Sequence, residues 1–314
     1  MLISVVIPSW NGWKFLPTCL DSLRRQTFRS FEVIVVDNGS TDGSADKLRE
    51  HYPEVRVIAL PTNRMFSGGV NEGIRHARGD VIALLNNDTQ AEPRWLEELA
   101  RALEAHPEVG FCASKLLLFD RRTVLHSAGD FYGEDGVPGN RGVWREDDGK
   151  YDIEEYVFGA CAGAAAYRRS MLDDIGLLDE DLVAYCEDVD LNFRAQLAGY
   201  RCLFVPTARV YHHLSATGGG PFASYYCGRN FISVIVKDMP GEILRRYWPR
   251  IVLRQLRYAA GSLWRFRDPS ARARLRGQLA GLGQLPKMRV KRKTVQQGRR
   301  VSIEYIKSVL TLPR

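Results

Sequence analysis

The stretch GDVIALLNND, residues 79–88, sets an apolar run from Val81 to Leu85 directly against Asn86, Asn87 and Asp88. A short continuous apolar run bounded by turn residues reads as a strand covered on both faces. One polar strand end is no more than a turn signal. Here the same arrangement occurs twice more upstream. LISVVIPS (2–9) runs into Ser9 and Asn11, and FEVIVVD (31–37) ends on Asp37 and Asn38. In an open parallel sheet, ligands bind outside the carboxyl ends of the strands, so the three ends are expected to line one crevice.

Working outward, helical spacing separates these strands. FLPTCLDSLRRQ (15–26), ADKLREHY (45–52) and PRWLEELARALEAH (93–106) read as helices, and VRVIAL (55–60) as a further strand. Asp42 or Ser44 suits the cap of the second helix, and Pro93 the first turn of PRWLEELARALEAH. GGVNEGIRHAR (68–78) reads as a helix whose N-terminus carries a glycine pair. Strands alternating with helices predict an α/β fold with a mostly parallel sheet. From 109 to 158 the pattern is irregular, and the Gly-rich, charged segment 128–150 reads as a long loop or flap. Order resumes with the helix EDVDLNFRAQLAGY (187–200), stopped by Gly199, and the strand RCLFVPTARVYHH (201–213).

The 314 residues suffice for one large α/β domain with an appendage. Charge separates the two. Residues 241–314 hold 19 Lys and Arg against three acids, or +16; with +7 for the whole chain, residues 1–240 carry −9. The expected division is a catalytic domain, 1–240, and a basic amphipathic helical extension, 241–314. The six cysteines stand singly, without a CxxC pair, which speaks against a zinc site or a secreted disulfide framework and suits a cytoplasmic setting. MLISVVIPSW reads as a strand rather than a signal peptide, and no apolar run reaches membrane-spanning length.

Several groups carry chemistry. Mg²⁺ or Mn²⁺ bound with a pyrophosphate uses one or two protein carboxylates, and Asp88 beside neutral asparagines meets that demand. In NRMFSGGVNEG (63–73), backbone N–H groups at a helix start can take a phosphate. Neither this segment nor PSWNGW (8–13) is a GxGxxG loop, which counts against a dinucleotide-binding site. YCEDVD (185–190) gathers Glu187, Asp188 and Asp190. Crowded carboxylates raise a pKa towards the range of a general base, while the helix dipole opposes it. In VYHHLSATGGG (210–220), strand alternation lets only one of His212 and His213 face a site, where an imidazole beside Asp88 would complete a mixed metal shell.

These motifs, in this order, resemble family 2 glycosyltransferases of the GT-A fold, particularly the rhamnosyltransferase-like branch. The matching pieces are SVVIPSWNG, VIVVDNGSTDGS, N…FSGGVNEGI, GDVIALLNNDT, the long segment 159–200 and VYHHLSAT, covering about residues 3–230. The resemblance implies inverting transfer from a nucleotide-diphospho-sugar with Mg²⁺ or Mn²⁺. By the same resemblance Pro8, Asn11 and Asp37 hold the nucleotide, with Ser9 and Asn63 beside them, and Arg64 and Gly68 lie near the sugar diphosphate. Asn86, Asn87 and Asp88 stand where the family has its metal-binding DxD motif. Asn86 replaces the first aspartate, so Asp88 is the expected carboxylate ligand and His212 its companion. Asp188, next to Glu187, matches the catalytic base. The Gly-rich loops 133–142 and 214–221 are expected to close over the donor. The branch implies dTDP-L-rhamnose as donor, with UDP-sugars as the alternative, and a glycan or lipid-linked glycan acceptor.

The tail adds a partner. PRIVLRQLRYAAGSLWRF (249–266) mixes Leu and Trp with arginines and suits an anionic membrane interface, on the cytoplasmic face. Packing on the catalytic domain, or on a second copy in a homo-oligomer, is the other use of such a face. Nucleic acid is not expected, because no nucleic-acid module accompanies the charge. Two further functional readings stand beside the transferase. One is a nucleotide-sugar-binding subunit without catalysis, suggested by Asn86 and opposed by the retained Asp88, Asp188 and His212. The other is a nucleotidyltransferase, for which PSWNGWKF (8–15) is a poor triphosphate loop.

Overall fold

The computed structural model describes residues 1–213 and 219–312. They form two compact units, Met1–Asp130 with Asn140–Leu178 and Tyr200–Ala216, and Phe131–Gly139 with Asp179–Gly199 and Thr217–Arg314. The chain therefore alternates between units instead of dividing at 240/241. The extension's helices do not stand apart, because residues 179–199 and 220–238 share their core.

The first unit is an α/β layer structure. Its strands are β1 (Ile3–Ser9), β2 (Phe31–Asp37), β3 (Arg56–Ala59), β4 (Val81–Leu85), β5 (Thr89–Ala91), β6 (Val109–Leu118) and β7 (Leu125–Ala128). After the small β8 (Asp130–Tyr132) and β9 (Pro138–Asn140) pair come β10 (Glu155–Val157), β11 (Ala164–Arg168) and β12 (Arg201–His212). Among the described residues they order as β10-β12-β6-β11-β4-β1-β2-β3, with β5 on β12 and β7 on β6. β4, β1, β2 and β3 are mutually parallel, as are β6 and β12, and β11 runs antiparallel between β4 and β6.

Alternation along β1 sends Val5 and Ile7 to one face, where Leu16, Leu20 and Leu23 of α1 (Leu16–Arg24) and Leu48 of α2 (Ser44–His51) join the same core. On the other face α3 (Met65–His76) comes so close that a Cβ on Gly73 would meet Val6 Cγ1 at 2.3 Å. α4 (Trp95–Ala105) adds Trp95, Leu99 and Leu103, and α5 (Arg169–Ile175) follows β11. Each fully buried side chain of this size is worth about 1.5–3 kcal/mol.

Three expectations need correction. The helix expected from Gly68 begins at Met65, so Gly68 and Gly69 lie inside it. Pro93 precedes the N-cap, Arg94, and is not in the first turn. The region read as irregular, 109–158, is folded: β6 is wholly buried and β7 to β9 follow, with β8 and β9 inside the segment expected as a flap. It escapes a hydropathy reading because Lys115 sits fully buried in β6, neutralised by Asp147 and Asp152 at 2.6 Å each. Within 133–142, Gly136 (φ 77°) packs so close to Ile235 that a Cβ would meet its Cδ1 at 2.6 Å. Of the other expected lid, residues 214–218 lie outside the described residues.

The second unit is helical: α6 (Glu187–Ala198), α7 (Gly220–Asp238), α8 (Gly241–Trp264), α9 (Pro269–Gly283), α10 (Leu285–Gln297) and α11 (Ile303–Val309). α7 and α9 cross through glycines, since a Cβ on Gly277 would lie 2.0 Å from Tyr225 O and one on Gly228 2.5 Å from Arg274 O. Among the described residues, no helix is long and apolar enough to cross a membrane.

Candidate active site

The three polar strand ends of the first unit are tied together. Asn38 N donates to Ser9 O (2.8 Å), and Asn87 Nδ2 donates to Ser9 Oγ (2.9 Å). Gly12 leaves room for that second bond, because a Cβ there would lie 2.1 Å from Asn87 Nδ2. Asn11, at φ 49°, accepts from Thr41 N through Oδ1 (2.8 Å), and its own N–H donates to Ser40 Oγ. Asp37 is buried at the end of β2, and its Oδ1 accepts from Ser40 N (3.3 Å). Pro8 is half-buried one residue before the end of β1. Asp42, expected as a helix cap, accepts from Ser44 N (3.0 Å) and also from Trp13 N (3.1 Å), so it joins the first turn to the second.

The 63–68 segment hangs on the same framework. Asn38 Oδ1 accepts from Arg64 N and its Nδ2 donates to Met65 O, each at 2.8 Å. Asn63 Oδ1 accepts from Met65 N (2.7 Å), so the first helical N–H is already used. Arg64 pairs with Glu72 at 3.1 Å, and Gly68 is buried within α3. The N–H groups of Arg64 and Met65 are thus satisfied within the protein, and the glycine pair lies inside the helix rather than before it.

At the end of β4, Asp88 Oδ1 faces His212 Nε2 at 3.2 Å, and Asn86 Nδ2 lies 3.4 Å from the same nitrogen. Asp88 and His212 are both buried. His213, one residue past the end of β12, stacks on Phe119 with ring centroids 3.7 Å apart. The described residues gather no cage of three or more His, Cys, Asp or Glu side chains. A Mg²⁺ or Mn²⁺ ion shared with a diphosphate needs only one or two protein ligands. One carboxylate with one imidazole fits that group, and Asp88 and His212 are the side chains that could hold it.

Behind His212 stands His126 of β7, which sequence reading missed. Their Nδ1 atoms are 3.1 Å apart. Burial, and then the neighbouring His212, pushes His126 down to about 3, so it is neutral in use. One ring must donate and the other accept. When His212 turns its Nε2 lone pair towards a cation, its Nδ1–H donates to His126, the outer-shell arrangement that orients metal-binding imidazoles.

Glu187 and Asp188 belong to the second unit, at the start of α6. Burial, reinforced by Asp188, pushes the Glu187 carboxyl well above the usual carboxylate range. Its buried Oε2 has no hydrogen-bond partner among the described residues. Asp188 is less buried, and its Oδ1 accepts from Val189 N (2.8 Å). The turn before them is strained. Val183, Tyr185 and Cys186 have φ of 69°, 63° and 66°, a region costly for side-chain-bearing residues. α7 holds it: Asn230 Nδ2 donates to the carbonyls of Leu182, Ala184 and Tyr185 (2.6–3.0 Å), and Arg229 Nη2 to Leu182 O (2.6 Å). Further along α6, Asp190 pairs with Lys237 and Arg194. Asn230 and Lys237 carry no local sequence signal, since their partners lie 45 to 58 residues away.

A model of the glycosyl transferase family 2 matches residues 4–176. The chain is 28% identical to the N-acetylglucosaminyl-diphospho-decaprenol L-rhamnosyltransferase of Mycobacterium tuberculosis, over 71% of this chain and 80% of that protein. It is 30% identical to the O-antigen biosynthesis protein RfbC of Myxococcus xanthus, over 68% of this chain and 17% of RfbC. The chain spans no more than a quarter of the length of two of the curated relatives that it matches. Among solved structures, GalNAc-T7 with UDP, GalNAc and Mn²⁺ aligns with a TM-score of 0.67 at 17% identity, over 100% of this chain and 58% of that one, a likeness of fold. With more than half of its length matched by the family model and a fold shared with GT-A structures, the chain belongs to glycosyl transferase family 2.

Proposed function

We propose that the chain transfers a sugar, with inversion, from a nucleotide-diphospho-sugar to a hydroxyl of a glycan or lipid-linked glycan in cell-surface polysaccharide synthesis. The donor in this reading is dTDP-L-rhamnose, with a UDP-sugar as the alternative. The carrying observation is the linked set of strand ends, Ser9, Asp37, Asn38 and Asn86 to Asp88, with His212 against Asp88. Two relatives, one a rhamnosyltransferase and one an O-antigen biosynthesis protein, support the sugar and the product class.

In this mechanism Pro8, Ser9, Asn11 and Asp37 bind the nucleoside, and Asn63, Arg64, Gly68, Asn86 and Asn87 orient the diphosphate and sugar. Asp88 and His212 would hold Mg²⁺ or Mn²⁺, which would supply electrostatic stabilisation of the departing diphosphate. Asp188 takes the proton of the acceptor hydroxyl as that oxygen attacks the anomeric carbon, and the C–O bond to the diphosphate breaks. Burial, with Asp188 beside it, disfavours the charged form of Glu187, which leaves the role of base to Asp188. The enzyme works on the cytoplasmic face of a membrane, held by its basic helices.

Titrating a panel of nucleotide sugars and then measuring nucleoside diphosphate release with acceptor tests this. Asp188→Asn is expected to bind donor normally and to lose transfer. Transfer at near wild-type rate in that variant would remove Asp188 from the mechanism. A chain that binds donor but never releases diphosphate in the presence of acceptor would be the non-catalytic subunit.

A further inference from the structure

α8 carries apolar residues both on its buried face and on its exposed one. Ile243, Tyr247, Ile251 and Ser262 are buried within the second unit. On the opposite face, Trp248, Val252, Leu256 and Leu263 recur at helical spacing in solvent, with Leu253 and Trp264 beside them. Leu256 is 60% exposed and Trp264 91%. Scattered exposed apolar residues are ordinary, but a continuous stripe along one helix marks an interaction surface.

The rim of the stripe states the partner's charge. Arg245, Arg246, Arg257, Arg265 and Arg267 are exposed along it. The nearby acids are engaged elsewhere: Glu242 lies 3.4 Å from Arg299, and Asp268 accepts from Ser270 N at the start of α9. Several tail cations are also spent internally, on Glu134, Asp135, Asp179 and Asp181. The stripe's rim arginines are not among these pairs, so the charge left over is concentrated here. The second unit as a whole holds 22 Lys and Arg against 12 acids.

We propose that the outward face of α8 is a lipid-docking surface. The helix, about 36 Å long at 1.5 Å per residue, lies along an anionic bilayer with Val252, Leu256 and Leu263 in the acyl boundary and Trp248 and Trp264 at the headgroups. The flanking arginines lie at the phosphates. Tryptophan at the ends of the stripe suits the headgroup level, where an apolar ring with a polar N–H is favoured. The proposal deepens the membrane part of the functional reading and is independent of the sugar transferred.

The test is flotation of the full chain with phosphatidylcholine vesicles with and without phosphatidylglycerol, across a salt series. Wild type is expected on the anionic vesicles, with a salt-sensitive and a smaller salt-resistant fraction. Leu256→Ser, Leu263→Ser and Trp264→Ser combined should lower partition by at least about tenfold and abolish the salt-resistant fraction. Arg245→Gln with Arg257→Gln and Arg267→Gln should lose the salt-sensitive fraction. All six positions are exposed, so far-UV circular dichroism and thermal melting should match wild type. Equal partition of wild type and the Ser variant would overturn this face while leaving membrane attachment standing. Failure of wild type to float would overturn both. A wild-type dimer in light scattering that becomes monomeric in the Ser variant, with no flotation, would assign the stripe to a second copy of the chain and refute the proposal. Donor titration of both variants should be unchanged, which separates this result from the transferase reading.

Discussion

Replacing Lys237 by Met should loosen α6 and with it the carboxylates at its start. Lys237 Nζ lies 2.6 Å from Asp179 Oδ2 and pairs with Asp190 Oδ1 as well. None of the three side chains is more than 8% exposed. Methionine keeps the apolar stem and removes the cation. Breaking a buried pair by deleting one partner costs about 3–5 kcal/mol, because the remaining charge is left uncompensated. Here Asp190 retains Arg194 at 2.9 Å and Asp179 retains Lys291 at 2.5 Å. The loss should therefore lie at the lower end, about 3 kcal/mol, or roughly a hundredfold in the folding constant. Its pH dependence has a definite sign. Burial raises both carboxyls, but the cations outweigh it and hold Asp179 and Asp190 below the usual carboxylate range. A depressed pKa gives stability that is present above the unfolded value and lost as pH falls through the folded one. In Lys237→Met the two acids protonate at higher pH, so the deficit against wild type should be full near neutrality and narrow below about pH 4. Urea unfolding followed by far-UV circular dichroism gives the size, and hydrogen exchange of the α6 amides gives the place. A deficit under about 1 kcal/mol, or one independent of pH, would refute the reasoning.

Asp88→Ala should abolish the dependence of nucleoside diphosphate affinity on Mn²⁺, and His212→Ala should weaken it; calorimetric titration with and without the ion decides, and unchanged affinities would count against the site. His126→Leu should lower Mn²⁺ affinity by about ten- to a hundredfold through His212, without touching the ion; the same titration checks it, and His126→Asn, which keeps an acceptor, should recover part of the loss. Gly277→Val should destabilise the α7–α9 crossing by more than the usual 1–3 kcal/mol of overpacking, since the intruding carbon meets backbone; a melting temperature within a degree or so of wild type would contradict the close approach.

What was legible in the sequence follows from what hydropathy measures. β1, β2 and β4 are continuous apolar runs with polar ends, so both the strands and their chemistry could be read locally. β6 was hidden by Lys115, whose neutralising acids come 32 and 37 residues later. The three-residue strands β8, β9 and β10 are too short for a period to emerge. In the site, Asp88 and His212 were readable as types in a motif, whereas His126 becomes meaningful only when β7 sets it 3.1 Å from His212, 86 positions away. The charge of the tail was legible as a sum but not as a distribution. Arg250, Arg254, Lys287 and Lys291 reach acids that precede them by a hundred residues or more, and no local reading assigns such partners.

The alternation of the chain between its units bears on how such an enzyme can be rebuilt. The helices after residue 240 look like a cassette, which recombination or a fusion joint could exchange between transferases. They are not one. Their seam with α7 is the Gly228–Gly277 crossing, and Lys291 closes on Asp179 at the head of the segment that leads into α6. A breakpoint at 240 would carry away half of each of these pairs. Heritable exchange of this region should therefore move 179–199 and the residues from 219 onward as a linked set, around a stretch of β12 that stays behind. Chimeras cut at 240 should misfold where chimeras that respect the linked set do not.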